Sequence, residues 1–238
     1  MTRPSFHTVF FDIDDTLYDQ AQPFAYAVHA VYGSLPGVTD DALFRSSRRH
    51  SAAVFAALSS GHMPSDEVYS RRMVETLADF GVTISPEVGH QMQQIYARSS
   101  GQAMALTATM RRCLALCHKR GQVGVITNGS HERQMGKLKL LGALQWIDRD
   151  AIFISDELGI AKPGAAIFRH ACATVGTLPA HCLFVGDSYG NDVRGACGVG
   201  MPVVWFNRRQ RTRPGSGPKP TWEVATDEQL FALLRQVR

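Results

Sequence analysis

Five short runs rich in Val, Ile and Phe constrain this chain more than any other feature: residues 7–13, 123–127, 151–155, 182–185 and 202–206. Each is apolar on both faces and bounded by Gly, Asn or Asp. A strand of that kind must be covered on both sides, as in a parallel sheet buried between helices. Helical patterns separate the later runs. Residues 107–120 place Met110, Leu114 and Cys117 on one face and stop at Gly121; residues 132–141 stop at Gly142; residues 164–175 give a third. A last helix over 227–237 starts at Asp227 as a candidate cap. The alternation predicts an α/β fold, a doubly wound parallel sheet whose ligands bind at the carboxyl ends of the strands.

Between residues 19 and 102 the alternation stops. Residues 22–34 carry Phe24, Val28 and Val31 at helical spacing. Thr39 can cap a segment with Leu43, Phe44, Val54, Phe55 and Leu58. Ser65 opens one with Val68, Tyr69, Met73, Leu77 and Phe80, ended by Gly81, and Ser85-Pro86-Glu87 opens a fourth. The expected organisation is an α/β core over 1–18 and 103–238 with an all-helical cap domain inserted at 19–102. A length of 238 residues suits one large domain or a core with an insertion.

Composition excludes several classes. With 45% hydrophobic and 19% charged residues the chain can pack a core, which argues against disorder. No stretch approaches the ~18 uninterrupted apolar residues of a membrane span. The start, MTRPSFHTVFFDIDD, meets acid almost as soon as it turns apolar and does not read as a signal peptide, so a cytoplasmic location and no membrane partner are expected. The five cysteines, Cys113, Cys117, Cys172, Cys182 and Cys197, fit no paired framework and read as buried reduced thiols. Much of the net charge of +4 lies in RRQRTRPGSGPKP, residues 208–220. Its Pro and Gly predict a solvated loop, and the absence of interleaved aromatics argues against nucleic acid.

Four segments fall at predicted strand ends. In FFDIDDTLY, Asp12 and Asp14 lie two apart on a strand, about 7 Å from one another, and face the same way, while Asp15 should point elsewhere. VITNGS sets Thr127 and Asn128 before a helix, where a hydroxyl and backbone N–H groups suit a phosphate oxygen. GIAKPG carries Lys162. FVGDSYGND carries Asp187 and Asp192. Carboxylates gathered at such a site repel; at ~5 Å and an effective dielectric of 20 a pair costs about 3 kcal/mol. A hard divalent cation relieves this, and Mg²⁺ keeps one or two carboxylates with waters and substrate phosphate. The nine histidines show no HxxxH pairing and read as non-ligands.

The ordered set DIDDT, ITNG, AKPGAAIF and VGDSYGND resembles the four motifs of the haloacid dehalogenase superfamily, and the chain is most similar to its phosphatase branch with a helical cap between motifs one and two. The resemblance covers about residues 6–18 and 104–207. It implies Asp12 as a nucleophile forming an aspartyl-phosphate and Asp14 as the general acid, then base. Thr127 and Asn128, with Lys162, would bind the phosphoryl group. Asp187, Asp12 and the backbone carbonyl of Asp14 would hold Mg²⁺, and Asp192 would support the acidic loop. The implied activity is a Mg²⁺-dependent phosphomonoesterase for a small phosphorylated metabolite, with nucleoside monophosphates (a nucleotidase) and sugar phosphates leading.

Two other readings compete. A receiver-like phosphoacceptor module also combines acids, Thr and Lys, but it would be shorter, with no helical insertion. A dehalogenase releases halide, which needs no proton, and its branch lacks the second aspartate. Polar residues of the segment near the cap, Tyr18, Arg45, Arg48, Arg49, Tyr69, Arg71 and Arg72, could contact a leaving group but read as solvated helix faces.

Overall fold

The computed structural model describes residues 6–59, 65–98 and 103–237, with side chains described outside 52–66. Within these residues the chain divides into two units. One is Asp19–Met104; the other joins Met1–Tyr18 to Ala105–Arg238.

The first unit is helical: α1 (Ala21–Val31), α2 (Asp40–Ser59), α3 (Ser65–Ala78) and α4 (Pro86–Arg98). Thr39 Oγ accepts from the Ala42 amide at 3.2 Å and Ser85 Oγ from Val88 at 3.4 Å, so both serve as N-terminal caps. The apolar stripes meet in a core of Phe24, Val28, Leu43, Phe44, Met73, Leu77 and Met92. The side chains of Val54, Phe55, Leu58 and Ser65 lie outside the described residues.

The second unit is the doubly wound sheet. Its strands are β1 (Thr8–Phe11), β2 (Gln122–Thr127), β3 (Ile152–Ile154), β4 (Cys182–Gly186), β5 (Val203–Phe206) and β6 (Trp222–Val224). All pairings are parallel, in the order β3-β2-β1-β4-β5-β6. Each of the five apolar runs overlaps one strand, β1 to β5 in order. The helices α5 (Ala108–Arg120), α6 (His131–Leu140), α7 (Ser155–Leu158), α8 (Ala165–Thr174), α9 (Arg194–Gly198) and α10 (Asp227–Gln236) connect and follow them. One core joins Phe10 and Ile126 of the sheet to Ile167, Phe168 and Cys172 of α8. Gly124 is required there: a Cβ would stand 2.6 Å from the Phe10 ring and from the Ala151 carbonyl. The strand order reverses between β1 and β4, the switch point where doubly wound sheets open a ligand crevice. The chain leaving β1 carries Asp12, and the chain leaving β4 carries Asp187.

Two expectations need correction, and one strand lies where no apolar run predicts it. Helix α10 is capped by Thr226, whose Oγ accepts from Gln229 N at 3.3 Å, and not by Asp227. Asp227 instead accepts from Thr107 Oγ and, at 3.0 Å, from Arg208. The edge strand β6 was not read from the sequence, since its three residues offer no run. Finally, residues 208–220 are a loop, but not a wholly solvated one. Arg209 is buried against Asp15 at 2.7 Å, and only 210–217 are continuously exposed. All five cysteines are free, four of them buried and Cys197 half-buried. Among the described residues no helix is long and apolar enough to cross a membrane.

Candidate active site

The loop after β1 begins tied to the next strand, the Asp12 amide donating to Val185 O at 2.9 Å. This pins Asp12 at the switch point with its carboxylate buried. Lys162 reaches it from the loop before α8, Nζ to Asp12 Oδ1 at 2.7 Å, and meets Asp192 Oδ1 at the same distance. Asn128 sets the height of that lysine. Its side-chain amide donates to the Lys162 carbonyl and accepts from the Lys162 amide, both at 2.9 Å. The Asn128 side chain is thus engaged by the lysine backbone, and its own backbone stays at the start of the loop after β2.

Asp192 is held by the turn after β4. Its Oδ2 accepts from the Ser188 amide at 2.9 Å and lies against Gly186. Any side chain at 186 would collide with that carboxylate, so glycine here admits the acid to the site. Asp187 turns its carbonyl to the Trp205 indole at 2.8 Å and its carboxylate to Arg211 at 3.3 Å. One oxygen from each of Asp12, Asp187 and Asp192 lies within 4.8 Å of the others.

The charge balance of this group is negative. Burial, then Asp192 and Asp14, hold the Asp12 carboxyl up to about 7 despite Lys162 beside it. Burial, then Asp192, Asp12 and Asp15, push Asp187 well above the carboxylate range, with Arg211 pulling the other way. Burial works to lower the Lys162 pKa, but Asp12 and Asp192 outweigh it and raise it above the usual lysine range.

Asp14 belongs to a second cluster. Both its oxygens lie 2.7 Å from Lys137 Nζ, Tyr18 OH donates to Oδ1 at 2.6 Å, and Gln134 Nε2 to Oδ2 at 3.2 Å. Burial works against ionisation here, but Lys137, Tyr18 and Gln134 prevail and hold Asp14 below its usual range. Gln134 also donates to the buried Thr127 Oγ at 3.0 Å and to Asn128 O at 2.6 Å. Asp15 does point elsewhere. It takes a left-handed φ of 59° and pairs with Arg209.

The expected acids, the threonine and the lysine thus gather at the strand ends. Lys137, Gln134, Tyr18 and Arg209 were not read as site residues. The signal for the first two was that Gln134 and Lys137 stand i, i+3 on the helix that follows VITNGS, hence on one face. Tyr18, expected on a solvated face, is 4% exposed.

Comparisons with known proteins bear on the family and the fold. Residues 6–200 match a family model described as haloacid dehalogenase-like hydrolase. The chain is 31% identical over 137 residues to N-acylneuraminate-9-phosphatase of Mus musculus, covering 57% of this chain and 54% of that protein. It is 34% identical over 114 residues to pyrimidine 5'-nucleotidase YjjG of Escherichia coli, covering 48% and 49%. The chain spans about half the length of these two relatives. The crystal structure of the HAD-hydrolase YfnB of Bacillus subtilis, bound to magnesium, superposes with a TM-score of 0.70 at 24% identity, over 97% of this chain and 99% of that one. Four strand-end segments in order, on a sheet wound this way, and a family match spanning both units lead to one conclusion: the chain belongs to the haloacid dehalogenase-like hydrolases.

Proposed function

We propose that the chain is a Mg²⁺-dependent phosphomonoester hydrolase for a small phosphorylated metabolite, working through an aspartyl-phosphate on Asp12. The observation that carries this reading is the pair of separately managed acids. Asp12 faces an ammonium at 2.7 Å, while Asp14, two residues on, is served by three donors of its own.

In the first half-reaction an Asp12 oxygen bonds to phosphorus as the ester P–O bond breaks, and Asp14, which would take up a proton from solvent as the anionic phosphate enters, passes that proton to the leaving alkoxide. In the second, Asp14 as carboxylate takes a proton from water, the water oxygen bonds to phosphorus, and the Asp12–phosphorus bond breaks to release phosphate. Thr127 Oγ and the backbone after β2 would hold phosphoryl oxygens. Lys162, fixed by Asn128 and Asp192, would offset their charge. The acidic group fits a hard cation: oxygen donors only, and more negative charge than Lys162 and Arg211 can balance. The Asp12 and Asp187 carboxylates and the Asp14 carbonyl would hold magnesium, which when bound supplies positive charge opposite the phosphoryl oxygens. The names of the relatives, N-acylneuraminate-9-phosphatase and pyrimidine 5'-nucleotidase, support small phosphorylated substrates. A halide leaving group would give Asp14 and its donors no proton to deliver.

The test is phosphate release from p-nitrophenyl phosphate, nucleoside monophosphates and sugar phosphates, with Mg²⁺ and then with excess chelator. Turnover with the metal and silence under chelation are expected; single phosphorylation without turnover, or full activity in chelator, would refute the reading.

Within it, Lys137 is a positioning residue that aims Asp14. Lys137→Met should lower kcat/KM for glycerol phosphate by roughly 10- to 100-fold, the range of partial loss of general acid catalysis. With p-nitrophenyl phosphate, whose leaving group needs little protonation, the loss should be much smaller. Equal losses on both substrates would assign Lys137 to structure alone.

A further inference from the structure

Helices α2 and α3 carry five arginines whose side chains are described, and their pairing runs opposite to what stability alone asks. Three exposed ones have carboxylate partners: Arg45 with Asp41 at 2.6 Å, Arg49 with Asp79 at 2.9 Å and Arg71 with Glu75 at 2.7 Å. Arg72, only 8% exposed, has none among the described residues. Its sole polar contact there is neutral, Nη2 to Gln93 Oε1 at 2.9 Å, and its Nε–H is buried without an acceptor. The guanidinium lies among three rings, 5.5 Å from the Tyr96 centroid, 5.6 Å from Tyr69 and 6.0 Å from Phe24.

Ring faces attract a cation but accept no N–H bond of ordinary strength, so they leave this group only partly compensated. Exposed Arg48 aggravates the imbalance: burial first, then this like charge, lowers the Arg72 pKa. A side chain needed only to fill space between α1, α3 and α4 would be apolar, since an isolated buried charge destabilises a core that Met or Leu would stabilise. No described acidic side chain of the unit meets this cation, so its unspent donor is open to an anion from outside.

We infer that Arg72 is the recognition cation of an anion site in the helical unit, and that its ligand is a small molecule bearing a carboxylate. The planar fork of a guanidinium offers adjacent N–H donors that match the two oxygens of a carboxylate, and Nε–H supplies one still unused. Tyr69 and Tyr96 would flank the bound group, and Arg48 would add attraction from the rim. This inference stands on the helical unit alone and does not rest on the phosphatase reading.

The test uses the whole chain, with glycerate as the probe and glycerol at matched ionic strength as its neutral counterpart. The melting temperature of the wild type should rise with glycerate and not with glycerol, and Arg72→Met should abolish the rise. Arg72→Lys, which keeps the charge but loses the fork, should weaken the apparent affinity by about tenfold. A second arm separates two sources of the carboxylate. Glycerate that raises KM for phosphoglycerate at constant kcat places it on the substrate; glycerate that changes kcat places it on a separate effector. No response in the wild type, or an equal response in Arg72→Met, overturns the inference. Should the methionine variant fail to fold, an unchanged affinity in Arg72→Lys overturns it as well.

Discussion

Asp12→Asn should abolish phosphate release, by on the order of 10⁴-fold or more, and leave the protein folded. The loss follows from the proposed covalent step: an amide cannot take the phosphoryl group, and residues that act as a unit lose nearly everything when the nucleophile goes. The retained fold follows from electrostatics. Burial and the neighbouring acids hold Asp12 up to about 7, so in the metal-free protein its ionised form is disfavoured. Asparagine keeps the shape of a carboxyl that is already hard to ionise, while Lys162 keeps Asp192 at 2.7 Å. In chelator the variant should melt no lower than the wild type. Phosphate release above a few percent of wild type would remove Asp12 from the nucleophile's place; release lost together with the melting transition would make the residue structural.

Much of this site was legible because its ligand-facing residues follow strands, and strands that are apolar on both faces announce themselves. Thr8–Phe11 and Cys182–Gly186 are such strands, and Asp12 and Asp187 are the first acids after them. Phenylalanine and valine runs therefore located the acids without any knowledge of the fold's interior. The residues that manage those acids were not legible, because they pair across long separations from positions with ordinary local roles. Lys137 lies 123 positions from Asp14, on a helix whose polar residues look like any solvated face. Arg209 lies 194 positions from Asp15, inside a run whose Pro, Gly and repeated Arg spell a loop. A guanidinium's destination cannot be read from its neighbours in sequence. The same holds for Arg72, adjacent to the exposed Arg71 and opposite in burial. Short elements were lost for a different reason: β6 is three residues long, and Thr226 and Asp227 are equally good caps on paper.

Arg209→Met should destabilise the protein by about 3–5 kcal/mol, read as a fall in the denaturant midpoint, because it strips a buried carboxylate of the guanidinium 2.7 Å away. The effect reaches beyond stability because of where Asp15 sits. It follows Asp14 directly and adopts a φ of 59°, a conformation that aspartate tolerates but glycine adopts more readily. Arg209 gives that carboxylate a reason to stay, so the ion pair braces the turn that carries Asp14, the proposed acid–base residue. Asp15→Gly on its own would ease the backbone but leave Arg209 buried without this acid. The double variant Asp15→Gly/Arg209→Met removes both charges and supplies the residue best suited to the turn. It should recover most of the stability lost in Arg209→Met, a coupling well outside the few tenths of a kcal/mol seen between independent sites. Activity should follow the same order, lowest in Arg209→Met and partly restored in the double variant. If Arg209→Met unfolds at the wild-type denaturant concentration, the pair does not brace the turn, and the left-handed Asp15 is held by other contacts, Arg211 at 4.0 Å among them.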